Sequence, residues 1–279
     1  MISLPPWLHK PLHECSGTKQ TILACGVRTV CEEALCPNQS ECYRDRRATF
    51  LLLGPSCTRA CAFCHVRHER PAPPDPKEPE AVAACCEQLG LRHAVLTMVT
   101  RDDLEDGGAL HVAATVRAVR RRLPGTSVEV LTSDFDGRSS SAALLLEERP
   151  EIFAHNIETV RSLTPTLRSR ATYDGSLCFL RNLKEARPAQ ITKSSLMVGL
   201  GETYEEVLKT LHDLSEAGVD EVTIGQYLQP SPQQVRVKEW ISPDLFNTYE
   251  AAARSFGIAN VIAGPFVRSS YRSQALHRF

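Results

Sequence analysis

Aromatic residues are scarce in this chain, at 6% of 279 residues, and tryptophan occurs only twice. Net charge is nearly absent as well, at −1, so no long-range field draws the chain to nucleic acid or to an anionic membrane. No apolar run approaches the ~18 residues of a membrane span. The opening stretch, Met1-Ile2-Ser3-Leu4-Pro5-Pro6-Trp7, has no basic segment followed by an apolar one and does not read as a secretory signal. Internal repeats and low-complexity tracts are also missing. The one concentration of positive charge, Arg117, Arg120, Arg121 and Arg122, reads as the solvated end of a helix rather than a binding patch. These absences lead to the expectation of a cytoplasmic globular protein in a reducing compartment. There, cysteine is read as a metal ligand before it is read as a disulfide.

Cysteine is what the chain has in excess. Of eleven, six fall into two close triplets. Cys31, Cys36 and Cys42 form Cys-x4-Cys-x5-Cys. Cys57, Cys61 and Cys64 form Cys-x3-Cys-x2-Cys, beginning fifteen residues later. Three soft thiolates from one short loop are the donors that hold iron–sulfur clusters. Three ligands for a four-iron cube leave one iron without a cysteine, and that position is the expected seat of chemistry. A structural zinc knuckle is the alternative for the second triplet. Structural zinc needs four closed ligands, and the nearest fourth donor, His65, is directly adjacent and poorly placed for a tetrahedron. For the first triplet the alternative is a set of buried thiols, which fits poorly with a polar, irregular segment. Cys15, Cys25, Cys85, Cys86 and Cys178 have no such spacing and read as structural.

A chain of this length fits one domain and buries enough apolar surface to need no disulfide staples. Residues 1–47 are irregular and carry the first triplet. From Ala48 onward, β-rich runs at Thr49–Leu53, His93–Val99, Ser127–Leu131, Glu151–Asn156, Ile191–Val198 and Glu221–Tyr227 alternate with amphipathic stretches at Glu78–Leu89, Ala109–Arg122, Ser139–Glu147, Tyr173–Ala186 and Tyr204–Ala217. Thr203 with Glu206 is a capping box. The four prolines between Arg70 and Pro76 discourage helix until Glu78. Such alternation predicts βαβ units on a parallel sheet. Six strands are too few for a closed eight-stranded barrel, so a partial (β/α)6 barrel is expected over residues 48–258. A further helix, Pro243–Phe256, precedes a C-terminal tail, 259–279. On such a barrel the site lies at the C-terminal strand ends. Cys57, just after the first strand, falls at its mouth.

The Cys57-Thr58-Arg59-Ala60-Cys61-Ala62-Phe63-Cys64 segment resembles the signature of the radical S-adenosylmethionine (SAM) enzymes. With the first triplet it resembles lipoyl synthase, and five further motifs extend the match. They are Arg101-Asp102-Asp103-Leu104-Glu105-Asp106-Gly107-Gly108-Ala109, His155-Asn156-Ile157-Glu158-Thr159-Val160, Leu196-Met197-Val198-Gly199-Leu200-Gly201-Glu202-Thr203, Thr223-Ile224-Gly225-Gln226-Tyr227-Leu228-Gln229-Pro230-Ser231 and Gly264-Pro265-Phe266-Val267-Arg268-Ser269-Ser270-Tyr271. The resemblance implies a radical SAM barrel whose C-terminal tail closes on the barrel mouth. It implies two [4Fe–4S] clusters: one on Cys57, Cys61 and Cys64 that binds SAM, and an auxiliary one on Cys31, Cys36, Cys42 and a serine, Ser270 or else Ser269.

The implied activity is sulfur insertion at C6 and C8 of an octanoyl-lysine, consuming two SAM and the auxiliary cluster. The implied partners are an octanoylated lipoyl carrier domain or H-type carrier protein, a reductant such as flavodoxin or ferredoxin, and a cluster-rebuilding protein. Asp102, Asp103, Asn156, Glu158 and Glu202 lie at or just beyond strand ends. Each is read equally as a lining residue of the SAM or substrate pocket and as a helix cap or loop bridge. Arg268 is read as a carboxylate partner or as an orienter of the serine loop.

The chain departs from the family pattern at Arg46-Arg47-Ala48, at Thr132-Ser133 and at Arg272-Ser273, none of them a cluster ligand. Two further readings are another two-cluster radical SAM sulfurtransferase and a non-enzymatic iron–sulfur protein. The N-terminal position of the extra triplet argues against a biotin-synthase-like enzyme, and the lack of a basic extension against an RNA methylthiotransferase. An electron-transfer protein leaves the strand-end polar motifs unexplained.

Overall fold

Seven strands follow one another in a single sheet in chain order, β1 (Thr49–Leu52), β2 (His93–Met98), β3 (Ser127–Leu131), β4 (Ile152–Ala154), β5 (Ile191–Val198), β6 (Glu221–Gln226) and β7 (Asn260–Gly264). The computed structural model describes residues 4–11, 13–271 and 273. The start and end of the chain and Arg272, within the Arg272-Ser273 departure, lie outside the described residues. The ladders β1–β2, β2–β3, β5–β6 and β6–β7 are parallel. Every residue of β1, β2 and β6 is buried, as expected where helices cover a parallel sheet. The result is an α/β sheet of the open, partial-barrel type expected from the sequence.

The principal helices are α1 (Ser16–Cys25), α2 (Val30–Glu33), α3 (Gln39–Arg44), α4 (Glu78–Leu89), α5 (Ala109–Arg122), α6 (Ser139–Glu147), α7 (Thr164–Leu167), α8 (Tyr173–Ala186), α9 (Tyr204–Glu216) and α10 (Pro243–Ser255). Two features differ from the sequence expectation. The N-terminal segment holds three helices rather than irregular chain, and a seventh strand lies within the stretch read as tail. α2 has four residues and α3 six, too short to show an apolar period. β7 is five residues long and only two of them are buried, which leaves no clear alternation to read. Cys178, read as structural, is exposed on α8.

The chain forms two compact units. One contains residues up to Ala60, except the first few, and Cys64–Phe153. The other contains Cys61–Phe63 and the chain from Ala154, together with the first residues. In the former, the cysteine-bearing helices pack on β1. Thr29 bridges Phe50, Leu51 N–H donates to Arg28 O at 2.9 Å, and the buried Thr29 and Tyr43 hydroxyls share a 2.7 Å hydrogen bond. The arginines of α5 do not form a bare basic patch. Arg117 pairs with Glu148, Arg120 with Glu151, Arg121 with Glu80 and Arg122 with Glu87. In the other unit, Leu180, Leu196, Val198, Leu211, Leu214, Val222 and Ile224 are fully buried in one core between α8, α9 and the sheet. The Thr203–Glu206 capping box is formed in full. No helix among the described residues is long and apolar enough to cross a membrane.

Candidate active site

β1 ends in a tight turn. Leu53 takes φ +70° and Gly54 φ +90°; for a leucine this is left-handed backbone that must be held by its surroundings. Leu53 N–H donates to Glu78 Oε2 at 2.8 Å, and Arg101 Nη1 donates to Leu53 O at 3.3 Å. Gly108 suits this place: its φ of +90° is backbone that favours glycine, and a Cβ on it would stand 2.4 Å from Leu53 Cδ1. The turn delivers the chain to Cys57, whose N–H donates to Arg67 O at 2.8 Å and whose Sγ accepts from Arg59 N–H at 3.4 Å. An N–H donor on sulfur suits a thiolate ligand.

The Cys61–Phe63 stretch is anchored separately. Ala62 N–H donates to Leu167 O at 2.9 Å and Ala62 O accepts from Val235 N–H at 3.0 Å. Phe63 packs against the small cluster of Leu167, Leu200 and Tyr227. Cys57, Cys61 and Cys64 are each half-buried, and none of the eleven cysteines is in a disulfide.

The first triplet is wound over α2 and α3. Cys36 N–H donates to Cys31 O at 3.1 Å, and Cys42 N–H to Asn38 O at 2.9 Å. Burial pushes the Cys31 thiol up to about 12, and the neighbouring Cys36 and Cys42 add to the rise through like charge. Cys36 and Cys42 therefore both sit within electrostatic reach of Cys31. Three thiols brought this close on and between two short helices are the soft donor set that an iron–sulfur cluster takes. Among the described residues no three His, Cys, Asp or Glu side chains surround a single metal ion. A cube asks for something different, because each thiolate binds a different iron.

The strand-end acids divide into two groups. Asp102 and Asp103 are both engaged by arginines. Asp102 accepts from Arg59 Nε at 2.8 Å and from Arg59 Nη2 at 2.9 Å. Asp103 accepts from Arg101 Nε and Nη2, each at 2.8 Å, and that guanidinium holds its carboxyl below the usual range. Glu202 accepts from the N–H groups of Gly199 and Leu200 at 2.5 and 2.9 Å. These three carboxylates serve the loop geometry.

Asn156 and Glu158, after β4, differ from them. Asn156 Nδ2 donates to Glu158 Oε1 at 3.1 Å, while Asn156 Oδ1 is buried with no hydrogen-bond partner in the structure. Such an atom costs ~1–3 kcal/mol unless a ligand satisfies it. Glu158 has φ +67°, and its backbone is clamped to β5 by hydrogen bonds with Ser195 and Met197. Burial raises its carboxyl pKa, opposed by Arg168 and Asn156. The pairing of an orphaned amide oxygen with a strained acid is the signal that sequence spacing could not carry.

Ser269 and Ser270 are half-buried in turns after β7. Their segment lies directly on β6, because a Cβ on Gly225 would stand 2.1 Å from Val267 O. Lys193 Nζ, buried at 1% exposure, donates to Ser273 Oγ at 3.0 Å. Lys10 Nζ sits 5.1 Å from the Phe266 ring centroid and 5.4 Å from that of Tyr271. Arg268 Nη1 donates to Val267 O at 2.7 Å, within the serine loop itself.

An open parallel α/β sheet with a three-cysteine loop after its first strand defines a radical SAM enzyme, and a family profile described as the Radical SAM superfamily matches residues 51–214. Solved structures agree on the fold. Methylornithine synthase (PylB) superposes with a TM-score of 0.56 at 15% identity, covering 94% of this chain and 81% of that one. SuiB from Streptococcus suis, bound to SAM, gives 0.60 at 12% identity, covering 89% and 61%.

Curated relatives are far more similar. Lipoyl synthase from Protochlamydia amoebophila is 47% identical over 275 residues, 96% of this chain and 85% of that protein. Lipoyl synthase 2 from Thermosynechococcus vestitus is 48% identical, covering 97% of each. Lipoyl synthase from Thermus thermophilus is 48% identical, covering 96% and 85%. The chain belongs to the lipoyl synthase family, and membership implies use of SAM and a [4Fe–4S] cluster.

Proposed function

We propose that this protein inserts two sulfur atoms, at C6 and C8, into an octanoyl chain carried on the lysine of a lipoyl carrier domain or H-type carrier protein, using two [4Fe–4S] clusters and two SAM. The observation that carries the two-cluster reading is the winding of Cys31, Cys36 and Cys42 over α2 and α3, where Cys36 N–H bonds back to Cys31 O, in the same compact unit as Cys57 and Cys64. When bound, SAM and its cluster supply a carbon-centred radical for an unactivated C–H bond, beyond the ~10²–10⁴-fold reach of acid–base catalysis, and the auxiliary cluster supplies sulfur.

The chain's residues have distinct parts in this reading. Cys57, Cys61 and Cys64 hold three irons and leave the fourth open to SAM. Cys31, Cys36 and Cys42, from the 1–47 segment, hold the auxiliary cluster with Ser270, or Ser269, from the 259–279 tail. A serine oxygen is harder than thiolate and less suited to iron of a sulfide cluster, which makes that corner the weakest. Asn156 and Glu158, within the 48–258 barrel, line the SAM or substrate pocket. A flavodoxin- or ferredoxin-type reductant and a cluster-rebuilding protein complete the cycle, in the cytoplasm.

The test is anaerobic turnover of reconstituted protein with SAM, reductant and an octanoyl-lysine peptide. The expected products are 5′-deoxyadenosine and a peptide heavier by two sulfurs. Deoxyadenosine without sulfur gain would sink the sulfur-insertion reading and leave radical formation intact. Ser270→Ala and Ser269→Ala, compared for iron content, decide between the serines.

A further inference from the structure

Arg59 stands between two cluster cysteines, yet it turns away from solvent. Thr58 and Ala60 on either side are exposed, whereas the Arg59 side chain is 6% exposed. Its guanidinium makes the two-pronged contact with Asp102 described above, and Nη2 also lies 2.7 Å from Asp134 Oδ1. Asp102 follows β2 and Asp134 follows β3, so one side chain spans the C-terminal ends of two neighbouring strands. Thr58 reinforces the first link. Its N–H and its hydroxyl both donate to Thr100 O at 3.0 Å, and Oγ1 accepts from Asp102 N–H at 3.1 Å. Asp134 is itself fixed, accepting from Asp136 N–H at 3.1 Å. Arg59 is therefore a permanent cation in a fixed fork, a geometry lysine cannot copy.

We propose that Arg59 is a positioning residue for the radical-forming loop: by gripping Asp102 and Asp134 together it fixes the backbone beside Cys57 at the strand ends where SAM must be met. The proposal rests on the reading that Cys57, Cys61 and Cys64 hold the SAM-binding cluster. It also accounts for Asp102, whose carboxylate is committed to the loop.

The experiment compares reconstituted wild type with Arg59→Lys and with the double variant Arg59→Met/Asp102→Asn, which removes the guanidinium and one of its two carboxylate partners. Three quantities are read: thermal midpoint, KM for SAM in deoxyadenosine formation, and the SAM-induced change in the EPR spectrum of the reduced cluster. The expected result is folded protein in both variants, KM for SAM raised ~10- to 100-fold and a weakened SAM-induced spectral change. A wild-type KM and spectrum in both variants would overturn the proposal. So would a fall in thermal midpoint with KM unchanged, or failure of both variants to fold, since either assigns Arg59 to stability alone. Absence of the spectral change in wild type itself would count against the cluster reading instead.

Discussion

His65 Nδ1 lies 2.9 Å from the carbonyl oxygen of Glu33, so the residue after Cys64 is tied to the helix that carries Cys31. A carbonyl can only accept, which fixes the proton on Nδ1. The bond links the two cysteine segments within one compact unit. His65→Phe keeps a ring and removes the donor. We expect it to lower stability by about 1 kcal/mol, read as a denaturant midpoint, with His65→Gln recovering part of the loss. Equal midpoints for all three proteins would show that the contact contributes nothing.

Glu158 makes a prediction about pH. A carboxyl whose folded pKa lies above its unfolded value favours folding while protonated and opposes it once ionised. Burial raises the Glu158 pKa, so its contribution turns unfavourable as pH rises out of the carboxylate range. Glu158→Gln should unfold at a higher midpoint than wild type near neutral pH. The difference should vanish on acidification below the carboxylate range. SAM-dependent turnover of the same variant should fall, separating a pocket role from a structural one.

Much of this chain was legible before its structure. β3 and β5, and α4, α5, α6 and α8, run over the residues that periodicity marked, because each buries a long apolar face against its neighbours. The cysteine loop was legible because its ligands are adjacent in sequence. What stayed hidden depends on distant partners. Nothing in the Asp102-Asp103 dipeptide reveals that one side chain goes to Arg59, 43 residues away, and the other to Arg101, two residues away. The orphaned oxygen of Asn156 is likewise a property of packing, invisible in a string of residue types.

Gly225 tests the serine segment. Its missing Cβ leaves room for the Val267 carbonyl, a backbone atom that no rotamer change can move aside. Gly225→Ala should cost about 1–3 kcal/mol and lower auxiliary-cluster iron more than SAM-cluster iron, read by Mössbauer spectroscopy. Unchanged stability together with full iron occupancy would show that the segment sits elsewhere in solution.

Thr203 supplies the control. Its hydroxyl accepts from Glu206 N–H at 3.3 Å, and Glu206 Oε2 accepts from Thr203 N–H at 2.8 Å. Thr203→Ala should cost ~1 kcal/mol of stability in urea melts while KM for SAM stays at the wild-type value.

The close approach of Val267 to Gly225 also bears on the order of assembly. Sheet residue and carbonyl lie 42 positions apart, and the later one can settle only on a sheet already built through β6. The proposed serine donor sits just beyond. If it closes the auxiliary cluster, the fourth side of that cluster comes together only with the sheet beneath it, so filling of this corner follows folding of β6 rather than preceding it.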